Sequence, residues 1–146
     1  MAIILDADVI IRGEKGSFDL RTWLTNRPDE QFEVAAITVA ELWHGVERAT
    51  APHRNRRLQY LSAVLAVLLV RPYTEQTAYE HARIWAELES AGKMPGYYDL
   101  IVAATALEHG SSVATFNRYF PEGTRWNTTS SLREPSLQDP SSSRPL

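Results

Sequence analysis

The chain has 146 residues, 44% of them hydrophobic, enough for one domain with a real core and too few for two of ordinary size. It contains no cysteine, which excludes disulfides, thiolate catalysis and cysteine-ligated zinc and fits a reducing compartment. With 15 Lys and Arg against 18 Asp and Glu the net charge is −3, so any nucleic acid would be held by a local basic patch and not by the molecule as a whole.

Ala2 to Leu5 is a short apolar run ending at Asp6, the pattern of a buried parallel strand with a functional group at its C-terminal end. The same opening lacks a basic leader and meets an acid early, unlike a secretory signal, so the expected location is the cytoplasm. A turn or short helix follows to Ile11. Ser17 to Asn26 carries Phe18, Leu20, Trp23 and Leu24 at near-helical spacing, closed by Pro28. Phe32 to Ile37 reads as the second strand and Thr38 to Ala49 as a helix. Pro52 to Leu69 is predicted as one long helix, basic at its start (His53, Arg54, Arg56, Arg57) and apolar beyond. Its apolar stretch, Leu61 to Val70, is shorter than the roughly 20 residues of a membrane span and reads as a buried helix. Val70 to Tyr73 has the look of a brief strand. Thr74 to Ala91 is helical with Gly92 as its stop, and a further helix runs from Gly96 to His109, ended by Gly110. Ser112 to Thr115 is a third clear strand, and Arg125 to Asn127 a last edge strand. From 128 to 146 the chain is rich in Ser and Pro without apolar periodicity, which predicts a disordered tail after a folded domain of residues 1–127.

Strand and helix alternate, which argues for an α/β sandwich around a mainly parallel sheet. Active sites in such sheets lie beyond the C-terminal strand ends. Four polar residues fall there: Asp6 after the first strand, Glu41 after the second, Asp99 in the Gly96 helix and Asn117 after the third clear strand. Asp6 and Asp99 abut apolar runs, so the carboxylates are expected to be half buried. Gathering carboxylates away from water costs several kcal/mol and adds like-charge repulsion. Among nearby cations only Arg118 sits at a strand end, whereas Mg²⁺ or Mn²⁺ suits an all-oxygen donor set. Such an ion readies water for attack on a phosphodiester, so phosphodiester hydrolysis is the expected chemistry. Each residue also has an ordinary reading. Thr38 and Glu41 have the spacing of a capping box, Asp99 that of a first-turn acid favoured by the helix dipole. Asp6 and Asp8 suit a turn, and Asn117 a left-handed turn position.

Taken in order and spacing, Ile4-Leu5-Asp6-Ala7-Asp8-Val9-Ile10, the segment from Ile37 to Arg48 containing Glu41 and Gly45, and Tyr98-Asp99-Leu100-Ile101-Val102-Ala103-Ala104-Thr105-Ala106 resemble the PIN-domain ribonuclease toxins of VapC type, over about residues 2–120. The resemblance implies a PIN-like α/β/α sandwich and an endoribonuclease dependent on Mg²⁺ or Mn²⁺, usually dimeric and neutralised by a small antitoxin. It implies that Asp6, Glu41 and Asp99 hold the metal and that Asn117 takes the fourth position, where many relatives carry Asp. Several relatives carry Asn where this chain has Asp8, and Asn117, which would orient water or metal without adding charge, leaves open whether one or two ions bind. The arginines of the Pro52 helix are candidates for phosphate contacts, with a solvated helix face as the plain alternative. Trp43, Leu42 and Val46 are candidates for an antitoxin groove, with core packing the alternative. The four histidines show no metal spacing. Two other functions share the residues. The first motif also resembles the aspartyl-nucleophile motif of haloacid-dehalogenase-type phosphatases, with Asp6 as nucleophile and Asp8 as acid, although Lys93 is the only late lysine. The other is a PIN scaffold that binds RNA or protein without cutting.

Overall fold

A computed structural model describes residues 2–117 and Phe120. Its centre is an all-parallel four-stranded sheet in the order β3-β2-β1-β4. The strands are β1 (Ala2–Leu5), β2 (Gln31–Ala35), β3 (Leu69–Arg71) and β4 (Ser112–Ala114), and six helices connect them: α1 (Ala7–Lys15), α2 (Leu20–Thr25), α3 (Ala36–Arg48), α4 (Ala51–Leu65), α5 (Glu75–Ser90) and α6 (Tyr97–His109). The period-2 alternation of β1 sorts its side chains between two cores. Ile3 and Leu5 join Val9, Ile10, Phe18, Trp23, Leu42, Val46 and Leu61 on the face covered by α1 to α4. Ile4 joins Ile84, Leu88, Leu100, Val102, Ala103 and Val113 beneath α5 and α6. The expected α/β/α sandwich with a parallel sheet is therefore the architecture found.

Local chemistry sets several boundaries. Asp6 leaves the sheet in extended conformation and caps α1 through Ala7 N–H, which starts a nine-residue helix where only a turn or short helix to Ile11 was expected. Asp19 caps α2, and Thr74 caps α5 in a capping box with Thr77. Gly16, Gly92 and Gly110 take positive φ, the left-handed conformation that ends a helix at little steric cost for glycine.

Three expectations are corrected. The second strand ends at Ala35 and α3 begins at Ala36, so Thr38 lies inside the helix and caps nothing: Ala35 is the N-cap, without a side-chain cap. The capping-box reading of Glu41 falls with it. The apolar stretch after Leu61 is not a buried helix, because α4 ends at Leu65 and the rest forms a turn and the edge strand β3, with Val67, Leu69 and Val70 exposed. Asn117 is not in a left-handed turn, since no described residue other than glycine has positive φ. The strand at 125–127, the tail 128–146 and Arg118 lie outside the described residues. Among those described, no helix is long and apolar enough to cross a membrane.

Candidate active site

Parallel strands deliver their C-terminal ends to one edge of the sheet, and the first residues beyond β1, β2 and β4 meet there. Asp6, immediately after β1, is only 5% exposed. Its Oδ1 accepts from Ala7 N–H at 2.9 Å and its Oδ2 from the Thr115 hydroxyl at 2.8 Å. Asp8, on the first turn of α1, accepts from Phe116 N–H at 3.1 Å through Oδ2, while its buried Oδ1 has no hydrogen-bond partner. Glu41 projects from the second turn of α3. Asp99, in the first turn of α6, accepts from the Asn117 side-chain amide at 2.9 Å, so Asn117 is an orienting donor in this arrangement.

The electrostatics follow from this gathering. Burial raises the Asp6 carboxyl above the usual carboxylate range, against the hydrogen bonds from Thr115 and Ala7 that favour its ionised form. Burial and the Asp6 charge push Asp8 to about 6. Burial and the charges of Asp6, Asp99 and Asp8 push Glu41 to about 7. Burial and Asp6 push Asp99 to about 6, although the Asn117 hydrogen bond opposes this. Desolvation is the largest cause for all four, and like-charge repulsion follows it for Asp8, Glu41 and Asp99. None of the four forms an ion pair among the described residues. The one cation acting on them that strand-end placement did not anticipate is Arg12, whose charge lowers Asp8 from one helical turn away. Its guanidinium lies 4.0 Å from the centre of the Phe116 ring.

Asp6, Glu41, Asp99 and Asn117, the candidates read from sequence, therefore surround one site. Asp8 and Thr115 belong there too. From sequence Asp8 reads as a turn residue or as the acid of the phosphatase motif, and not as part of this site. Thr115 carried no signal beyond its position at the end of the third clear strand, yet it links Asp6 to Asp8, which accepts its hydroxyl at a longer 3.4 Å, and receives Asn117 N–H at 3.0 Å. Leu42 and Val46 are core residues and Trp43 packs against that core, so these three follow the packing alternative.

The donor set is all oxygen and suits a hard divalent cation. The unpartnered Asp8 Oδ1 and the raised carboxyl pKa values are what such an ion would relieve. As the side chains stand, no three acidic or histidine groups among the described residues close around a single point, so an ion would draw the carboxylates inward or take water to complete its shell.

Comparison with known proteins agrees with this geometry. The PIN domain family matches residues 3–124. A VapC ribonuclease, Y4jK, of Sinorhizobium fredii is 32% identical over 121 residues, covering 77% of this chain and 85% of that protein. The DNA-bound VapBC structure from Salmonella typhimurium superimposes with a TM-score of 0.74 at 29% identity, over 82% of this chain and 90% of that one. VapBC-5 from Mycobacterium tuberculosis, a member of the VapBC family of toxin-antitoxin systems, does so with a TM-score of 0.64 at 28% identity, over 82% and 87%. With the family model spanning most of the chain and the carboxylates gathered at the sheet edge, the chain belongs to the PIN-domain family, among its VapC ribonucleases.

Proposed function

We propose that the protein is a divalent-metal-dependent endoribonuclease acting as the toxin of a toxin-antitoxin pair. The observation that carries the metal dependence is a cluster of four carboxylates with raised pKa values and, among the described residues, no ion-paired cation. Asp6, Asp99 and Glu41 would hold Mg²⁺ or Mn²⁺, with Asp8 contributing Oδ1. A bound divalent ion supplies an activated water and neutralises charge on the leaving oxygen. The chain's own residues prepare that step. Thr115 and Ala7 N–H fix the two oxygens of Asp6 in one orientation. Asn117 holds one oxygen of Asp99 and leaves the other free. Phe116 N–H holds Asp8 Oδ2 and leaves the buried Oδ1 without a hydrogen-bond partner. Partner supports of this kind typically change metal affinity by about ten- to a hundred-fold.

A small antitoxin is the proposed protein partner, on the strength of the toxin-antitoxin neighbours, and a homodimer the proposed assembly. The phosphatase reading is set aside by the family membership. The test is cleavage of a fluorescent single-stranded RNA panel with and without Mn²⁺, for wild type, Asp6→Asn and Asp99→Asn, with folding matched by melting. Metal-dependent cutting lost in both variants is expected. Binding of RNA without cutting by folded, metal-loaded wild type would establish the scaffold reading instead.

A further inference from the structure

The candidate active site is acidic and RNA is a polyanion, so the substrate must be held by something near the carboxylates and not by them. Among the described residues a basic cleft offers such a place. The cleft, of about 900 Å³, opens between α1, the α3–α4 junction and the start of α4, lined by Lys15, His53, Arg56 and Arg57, with Glu14 as its acidic residue, over a floor that includes Ile11. Its position is tied to the site through two helices. Ile11 follows Asp8 by three residues along α1, and Gly45 follows Glu41 by four along α3, each about one turn or 5 Å of helix. A Cβ at Gly45 would lie 2.8 Å from Arg57 Nη1, so the absent side chain is what lets this guanidinium lie against α3.

The charge balance of the cleft is one-sided. Between Glu47 and Glu75 the chain has no acidic residue. Arg57 is fixed by Glu14 at 3.0 Å, and Arg54 meets Glu47 at 3.1 Å on the outer surface. Lys15, Arg48 and Arg56, all exposed, form no ion pair among the described residues. Arg56 donates to His53 Nδ1 at 2.8 Å, so its guanidinium is oriented by a ring-nitrogen lone pair and not by an opposing carboxylate. The Thr50 end of α4 lacks a side-chain cap, and its amides add positive potential to the same opening.

We infer that this cleft is a phosphate track for single-stranded RNA, in which Lys15 and Arg56 contact backbone phosphates and lead the strand to the carboxylates. The inference rests on the ribonuclease reading for its substrate, and its test is independent of cleavage. Binding of a fluorescent oligouridylate to the full chain is measured in EDTA across a salt series. Each phosphate neutralised on a single strand contributes about 0.7 to the slope of log affinity against log salt. The Lys15→Gln/Arg56→Gln double variant should lower the slope by about 1.4, while Lys93→Gln, whose lysine lies in the exposed turn after α5, leaves it unchanged. With Mn²⁺ the double variant should raise KM for long RNA and keep kcat. An unchanged slope in a double variant that melts like wild type overturns the track, whether or not the wild type cuts RNA. Wild type that cuts no RNA yet shows the slope change removes the ribonuclease reading and leaves the track standing. Polyglutamate binding that weakens in the double variant, with RNA binding unaffected, assigns the cleft to an acidic protein segment and overturns the inference.

Discussion

The carboxylate cluster sets an unusual dependence of stability on pH. Asp8 and Asp99 titrate at about 6 and Glu41 at about 7 in the folded chain, all above the range near 4 expected when unfolded. A raised carboxyl pKa means that ionisation costs more in the folded state. The penalty is absent below about pH 4, where both states are protonated, and complete above about pH 7. Metal-free stability should therefore fall as pH rises through this window. Each unit of displacement corresponds to about 1.4 kcal/mol. The three groups are partly exposed and share one repulsion, so water and coupling reduce the total to something on the order of 2 kcal/mol. For a chain of this size that is a loss of roughly 5 °C in Tm between pH 5 and pH 8. His81, whose pKa burial lowers, contributes in the opposite direction, so the informative quantity is the difference between wild type and Asp99→Asn, in which His81 cancels. The assay is differential scanning fluorimetry in EDTA at several pH values, repeated with Mn²⁺. Expected are a falling wild-type profile, a flatter one for Asp99→Asn, and recovery by Mn²⁺ at pH 8, where a hundredfold excess over Kd adds about 2.7 kcal/mol. Parallel profiles for the two proteins, or a wild type unaffected by Mn²⁺, would refute the reasoning.

Asp99→Asn should also abolish RNA cleavage while its metal-free Tm at pH 8 equals or exceeds that of wild type; clear destabilisation would show the helix-dipole role to be the dominant one. Thr115→Val removes the donor to Asp6 Oδ2 and is expected to weaken Mn²⁺ binding about tenfold, read by calorimetric titration, with unchanged affinity counting against Thr115 as a positioning residue. Gly13→Ala would raise helix propensity at a midhelix position by about 1 kcal/mol, yet its Cβ would meet Tyr60 Oη at 2.5 Å and Leu20 Cβ at 3.0 Å, so a net loss of about 1–3 kcal/mol is expected by urea unfolding. Glu33 is fully buried in β2, bonded to the Ser111 hydroxyl at 2.9 Å and paired with Arg71 of β3. Arg71→Met should cost about 3 kcal/mol by stranding that carboxylate, and adding Glu33→Leu should restore much of it; equal stability of the single and double variants would contradict this account of the pair.

The comparison of Glu41 with its neighbours shows how far a one-dimensional reading reaches. Its identity as a site candidate was legible because an acid soon after an apolar strand lies near the C-terminal sheet edge in any parallel fold. Its local role was misread because the strand-to-helix transition at Ala35 and Ala36 has no side-chain cap to mark it, so the helix start slid by two residues towards Thr38. Similarly, Leu61 to Val70 is apolar but for Ser62 and cannot distinguish a buried helix from a helix end followed by an edge strand. That choice was made by β3 pairing with β2.

Alternating apolar strands and helices determined the layered parallel architecture, because each pattern buries its apolar face in only a few ways. The Asp6, Glu41 and Asp99 motifs pointed to oxygen-ligand chemistry, since clustered carboxylates need a cation. Only the tertiary structure decided that Asp8 is buried beside Asp6 with one oxygen unpartnered and that Thr115, 109 residues from Asp6 in sequence, fixes the Asp6 carboxylate. It also decided that Arg57 crosses Gly45 beside a cleft with unpaired cations. These are contacts between distant segments, and the physical reason they escape the sequence is that side-chain distance and burial, which set charge and hydrogen bonding, exist only once the sheet has brought its strand ends together.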